Sequence, residues 1–306
     1  MAEGSLPPGV QVFERGWLSS NNILFVGADS SALVDSGYST HAEQTLALVD
    51  AALEQRPLDM LLNTHLHSDH CGGNAALQGA YPNLRTLIPP GQAQFVAPWN
   101  PVALTYVPTG QICPQFGFSA LLRVNHQIEL AGRRWQIHAA PGHDPHSIIL
   151  FEPASRTLIS ADALWEKGFG VVFPELEGAS AFDEVAATFD LIEELDPSTV
   201  IPGHGPIFSY RPTVLASARQ RLNAFVGNPA RHAHHAAKVL LKFKLLERQQ
   251  LPLTDLIDWA RGTAHFQHIR RTFFSSASLD EWVEQLADEL EHSAVARRDG
   301  ALIFNT

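Results

Sequence analysis

At 306 residues and 45% hydrophobic content, the chain can hold one large or two ordinary domains with a substantial core. Its formal net charge of −11 is uneven: residues 1–210 carry 8 Lys+Arg against 22 Asp+Glu, a net of −14, whereas residues 211–306 carry 13 against 10, a net of +3. The change near Arg211–Pro212 predicts two domains, 1–210 and 211–306, and the acidic larger part is a poor surface for nucleic acid. No run approaches the ~20 apolar residues that cross a bilayer, and the start, MAEGSLPPGV, lacks a basic region followed by an apolar run. Two cysteines, Cys71 and Cys113, give no disulfide framework, so a cytoplasmic protein is expected.

In chain order, residues 10–18, 22–27 and 32–35 read as strands, with AspSerGly closing the third. Thr40 and Glu43 have the spacing of a capping box, opening a helix with Leu46, Val49, Ala52 and Leu53 at helical intervals. The apolar run Leu58 to Leu62 predicts a buried strand. LNTHLHSDHCGG (62–73) follows directly, and a helical pattern begins at Asn74, so this stretch lies on a strand-to-helix loop.

That loop holds four metal-ligand types, His65, His67, Asp69 and His70, within six positions. Side chains alternate along an extended segment, so His65 and His67 point to one side and can chelate one ion. Asp69 and His70 lie further round the turn, where a second ion can share the loop. Imidazole and carboxylate suit a borderline divalent metal, and the lack of a paired thiolate argues against a closed structural zinc site. Cys71 is read as a small packing residue.

Residues 81–126, rich in Pro, Gly and aromatics (Phe95, Trp99, Tyr106, Phe116, Phe118), read as a long loop contributing to a binding site. A meander of short strands is then predicted at 127–130, 133–139, 147–151 and 157–160. ProGlyHisAspProHis places His143 on a loop, and SerAlaAsp places Asp162 at a strand end. Phe182, Val185, Phe189, Ile192 and Leu195 trace one face of a helix; the strand 199–201 ends in ProGlyHisGlyPro, setting His204 on another loop.

HLHSDH, PGH with His143, the lone Asp162 after a strand and PGHG with His204, in this order, resemble the metallo-β-lactamase-fold hydrolases over residues 10–210. The resemblance implies an α/β fold, an αββα sandwich with metals at one edge. Carried over residue by residue, His65, His67 and His143 would hold a first ion, Asp69, His70 and His204 a second, and Asp162 would bridge them. It implies two divalent ions, zinc being the expected metal with iron or manganese compatible, that activate a bridging hydroxide near neutral pH. Asp69 is the implied catalytic carboxylate, orienting that nucleophile. Asp162 stands where some β-lactamases carry cysteine or serine, placing the chain with the glyoxalase II, lactonase and nuclease branches. His146 departs from the usual glycine of GHTPGH-like relatives and is expected to pack or hydrogen-bond to a nearby loop.

Beyond 210, helices are predicted at 213–226, 231–248, 254–261, 264–274 and 279–292, the last with a Ser278–Glu281 capping box. AspGly in the final stretch signals a hairpin with a two-residue turn. Helices followed by a hairpin resemble a winged-helix domain, making this a smaller, mainly helical, winged-helix-like unit. The helix before the wing carries Asp280, Glu281, Glu284, Asp288, Glu289 and Glu291 and no basic residue, which phosphates would repel. His232, His234 and His235 read as a solvated helix face.

The favoured function is a hydrolase of a small ester, thioester or lactone, with Trp99, Tyr106 and Trp165 as substrate-binding candidates. An RNA-processing nuclease is the alternative, supported by the winged-helix resemblance and the basic helix with Arg231, Lys238, Lys242, Lys244 and Arg248. A non-catalytic regulatory protein is the third reading. The expected partner is a small molecule, neither nucleic acid nor membrane, with a homodimer left open.

Overall fold

The computed structural model describes residues 6–306; residues 1–5, part of the stretch read for a leader, lie outside the described residues. The chain forms two compact units. One runs to Leu104 and resumes over Ile112–Asn223; the other combines Thr105–Gln111 with Ala224–Thr306. The division after Asn223 falls inside the helix Pro212–Val226, later than the change in charge.

In the first unit, β1 (Val10–Phe13), β2 (Asn22–Val26), β3 (Ser31–Val34), β4 (Met60–Leu62), β5 (Arg85–Ile88) and β6 (Ala120–Leu121) form one six-stranded sheet in that order. β7 (Gln127–Leu130), β8 (Arg133–Ala139), β9 (Ile148–Glu152), β10 (Thr157–Ala161), β11 (Thr199–Pro202) and β12 (Phe208–Ser209) form the second, also in chain order. Both sheets are mixed: β3 to β6 pair in parallel, as do β10 and β11, and the remaining pairs are antiparallel.

Two-residue alternation assembles the layers. Ile23, Phe25, Ala32, Val34 and Leu62 face one way and share a single buried cluster with Trp135, Ile137, Ile148, Leu150, Ile159 and Ile201 of the second sheet. The intervening Leu24, Leu33 and Leu61 face the other way, onto Val49 and Leu53 of the helix Ala42–Leu53 and Leu77 of the helix Asn74–Ala80. Burying each such side chain contributes about 1.5–3 kcal/mol, so the sequence selects two sheets face to face with helices outside.

Four readings of the sequence need correction. The Thr40–Glu43 capping box does not form, because Ser39–His41 is a 3-10 turn and His41, without a side-chain cap, precedes the helix. Residues 81–126 are not one long loop: β5 lies within the first sheet, and Thr105–Gln111 belongs to the second unit. The first strand stops at Phe13, leaving Trp17 on a loop. The final hairpin turns at Gly300–Ala301, with Asp299 already paired to Leu302, so the reversal comes one residue after the AspGly position; Gly300 supplies the positive φ, +58°.

The second unit packs the helices Pro229–Arg248, Leu253–Gly262, Ala264–Phe273 and Leu279–His292 with a three-stranded sheet ordered β13 (Gln250–Pro252), β15 (Leu302–Asn305), β14 (Ala296–Asp299). Leu240, Leu256, Phe266, Trp282, Leu286 and Ile303 are buried in it. The Ser278–Glu281 capping box is complete. His232, His234 and His235 do not share a solvated face: His232 is 1% exposed, His234 pairs with Glu289 at 2.7 Å, and His235 stacks on Phe225.

Candidate metal centre

Strand direction gathers the candidate ligands. β3 and β4 run parallel, and β8, β10 and β11 share one direction within their own sheet. Asp35 follows β3, His65 and His67 follow β4, His143 follows β8, Asp162 follows β10 and His204 follows β11, so every one sits just beyond a carboxyl end. Asp69 and His70 lie on the single turn Ser68–Cys71 after His67. Backbone hydrogen bonds tie these loops together: Ile148 N to Thr64 O at 2.9 Å, Asn21 N to Gly203 O at 2.7 Å and Ser20 N to Asp69 O at 2.9 Å.

All seven residues named as metal ligands meet there. His67 Nδ1 lies 3.1 Å from His65 Nε2 and 2.8 Å from His143 Nε2, which closes one triad. His204 Nε2 lies 3.2 Å from Asp69 Oδ2, and Asp69, His70 and His204 present donor atoms within 4.8 Å of one another, as do the residues of the first triad. Asp162 stands between: its Oδ2 is 3.3 Å from His143 Nε2, while its Oδ1 is 3.4 Å from His70 Nε2 and 3.8 Å from His204 Nε2. One carboxylate thus faces both triads with different oxygens.

The donor set fits divalent ions. His70 is held at Nδ1 by Asp35 at 2.8 Å and turns its buried Nε2 toward Asp162 Oδ1 at 3.4 Å, too long for a well-formed hydrogen bond and open to a closer ligand. His143 Nδ1 donates to Val171 O at 2.5 Å, and Thr64 Oγ1 lies 3.2 Å from His65 Nδ1. Such outer contacts fix the ring orientation and leave the second nitrogen free as a ligand.

Electrostatics supports this reading. Burial, then the neighbouring His70 and His67, holds His65 well below the usual imidazole range; burial and His143 bring His67 to about 4. Neutral imidazoles are the form that binds metal. Burial opposes charge on His70, yet Asp162 and Asp35 hold it well above the usual range, so an ion at its Nε2 would have to displace a proton; Asp162 is held well below the carboxylate range by His70 and His204, against its own burial. An anionic Asp162 among histidines is a site that attracts cations.

The backbone is shaped for the cluster. A β-carbon on Gly203 would lie 2.2 Å from Asp162 Oδ1, and one on Gly72 would lie 2.5 Å from Ser39 N and Ser68 O. Ala161 adopts φ +46° where the β10–β11 register shifts, turning Asp162 inward.

Of the substrate-binding candidates, Trp165 reaches the cluster, its Nε1 3.3 Å from Asp162 Oδ1 and its ring edge-on to His204. Trp99 packs edge-on against Phe116. Tyr106 is 2% exposed in the second unit, a core position with no open face for a ligand. His146 takes a packing role: a β-carbon on Gly91 would lie 2.0 Å from its Nδ1. Cys71 is buried, its thiol donating to His67 O at 3.2 Å.

Sequence reading missed two residues. Asp35, φ +59°, accepts from Thr64 N at 2.8 Å and Thr64 Oγ1 at 2.7 Å besides holding His70; the AspSerGly closing the third strand was its only signal. Trp17 stacks on His204 at 5.5 Å and 10°, and was hidden by being counted into a strand.

Comparison with known proteins agrees with this geometry. The sequence pattern of the Metallo-beta-lactamase superfamily matches residues 15–204. A hydroxyacylglutathione hydrolase of Stenotrophomonas maltophilia (strain R551-3) is 31% identical over 144 residues, covering 47% of this chain and 45% of that protein. One of Brucella anthropi is 22% identical over 84% of this chain and 85% of its own length. The chain thus spans about half the length of the first of these relatives. Among solved structures, a beta-lactamase domain protein from Burkholderia ambifaria superposes with a TM-score of 0.59 at 19% identity, covering 99% of this chain and 94% of that one. A metallo-beta-lactamase family protein from Thermus thermophilus gives 0.55 at 20% identity, covering 99% and 100%. With the matched pattern spanning more than half of its length and ending at His204, the chain belongs to the Metallo-beta-lactamase superfamily.

Proposed function

We propose that the protein is a dinuclear metal-dependent hydrolase of a small ester, thioester or lactone. The observation that carries this reading is Asp162, whose two oxygens divide between two complete ligand triads. His65, His67 and His143 would hold one divalent ion and Asp69, His70 and His204 the other, with Asp162 shared; its negative charge offsets repulsion between two cations. Ions bound there would supply Lewis-acid polarisation of the scissile carbonyl and a water acidic enough to attack near neutral pH.

The remaining work falls to the chain. Asp69, fixed through Oδ2 by His204, accepts a hydrogen bond from the attacking water and sets its direction. Asp35 keeps the His70 ring oriented and its Nδ1 protonated. Among these substrates a thioester draws support from relatives that are hydroxyacylglutathione hydrolases.

The nuclease reading is disfavoured by the second unit's own charges. On the basic helix Lys238 pairs with Glu289 at 3.1 Å and Lys244 with Glu247 at 2.8 Å, so two of the five basic groups named for a phosphate chain are already matched. The test is a panel of thioesters, esters, lactones and phosphodiesters assayed with metal-reconstituted protein alongside elemental analysis. Close to two ions per chain and turnover of an acyl substrate are expected; phosphodiester cleavage alone would favour the nuclease, and one ion or none after saturation would sink the dinuclear reading.

A further inference from the structure

Trp17 leaves 55% of its surface exposed, so what matters about the ring is where its loop holds it. Its loop is firmly held. Leu18 beside it is 3% exposed, Ser19 N donates to Gly16 O at 3.2 Å, Arg15 N donates to Asn21 Oδ1 at 2.9 Å, and the Asn21 side chain donates to Pro202 O at 3.0 Å and Gly205 O at 2.8 Å, on either side of His204. The fold therefore presents this indole at the rim of the ligand cluster in a fixed position.

Its neighbours define a surface. Trp17 lies parallel to His204 with ring centroids 5.5 Å apart, and Trp165 meets it edge-on at 5.3 Å while packing against His204 at 5.5 Å. Trp165 is fixed in turn by Nε1 to Asp162 Oδ1 and by its backbone N–H to Gly168 O at 2.7 Å. Two indoles thus stand against a ligand of the second triad. Flat, apolar and preorganised, such rings favour an aromatic or flat apolar group over an anionic one.

We propose that Trp17 and Trp165 form a specificity wall for the acyl group, selecting substrates with an aryl or flat apolar group a bond or two from the scissile carbonyl. This rests on the hydrolase reading above. An acyl group held at the triad of His204 would lie beside these two rings, and the exposed part of the Trp17 indole is surface that such a group would cover.

The experiment compares acetyl and phenylacetyl thioesters of one small thiol, using zinc-loaded full-length protein, Trp17→Ala and Trp17→Phe, with metal content measured on each. Isothermal titration with phenylacetate and acetate adds a binding readout. Wild type should favour the phenylacetyl substrate. Trp17→Ala should lower its advantage in kcat/KM by about tenfold, mainly through KM, and weaken phenylacetate binding by a similar factor, while Trp17→Phe recovers most of both. An unchanged substrate ratio would overturn the wall. So would loss of an ion with an equal fall on both substrates, which would assign the ring to holding His204. Failure of wild type to turn over any acyl substrate would count against the hydrolase reading instead; phenylacetate binding, weakened or not by Trp17→Ala, would then decide the wall.

Discussion

The two units keep local rules to different degrees. In the second, helix Leu279–His292 begins at a complete capping box, shows one apolar face through Trp282, Val283, Leu286 and Leu290, and pairs its acids with basic neighbours. The first unit breaks such rules around its cluster of candidate ligands. Asp35 and Ala161 sit at positive φ, and His65, His70, His143, Asp162 and His204 are all buried in one cluster. Positive φ also occurs away from the cluster, at Glu54, Asn125 and Arg156 in the first unit and at Gln249 and Ala294 in the second; what sets the cluster apart is that titratable side chains are buried together, which packing elsewhere must sustain.

Substitutions should therefore separate function from stability in opposite ways in the two units. The largest effect is expected at Asp162. Asp162→Ala removes the anion shared by both triads and should lose at least one ion together with nearly all turnover, whereas Asp162→Asn keeps a ligand oxygen and should bind metals more weakly with the fold intact. Elemental analysis and circular dichroism on both variants check this; two retained ions and near-normal turnover would break the comparison at its centre.

Gly203→Ala should approach that effect without replacing a ligand, since its β-carbon would stand 2.2 Å from Asp162 Oδ1. Metal titration should show weakened binding, and a variant that binds as tightly as wild type would mean Asp162 can shift freely. In the second unit Leu286→Ala, at a fully buried position, should cost about 2–5 kcal/mol in denaturant unfolding through transfer and cavity terms. It should leave metal content alone.

Asp35→Asn sharpens the contrast. It keeps the shape but takes the charge from the contact to His70, and should lower metal affinity or turnover by about 10- to 100-fold. Competition with a graded chelator measures it; an unaltered affinity would reduce Asp35 to a partner of Thr64. Smallest of all, Ser278→Ala removes one cap and should cost about 1 kcal/mol, visible as a shift in thermal midpoint with unchanged turnover.

The sequence by itself determined the candidate ligands, because His65, His67, Asp69 and His70 are neighbours in the chain and His143, Asp162 and His204 each stand beside a glycine or a strand end. It also determined most strands and the helices of the second unit, whose signals are periodicity and capping, interactions within a few residues. Tertiary structure decided what depends on distant partners. Asp35 meets His70 across 35 positions, and Asn21 holds Pro202 across 181. β5, short and flanked by proline-rich sequence, becomes a strand because β4 and β6 pair with it on either side. Trp17 stands beside His204 because loops from two sheets end at the same edge, and Tyr106 lies in the second unit because Thr105–Gln111 packs there. A periodic pattern records which face of an element is buried; it carries no record of which remote residue the burial brings into contact.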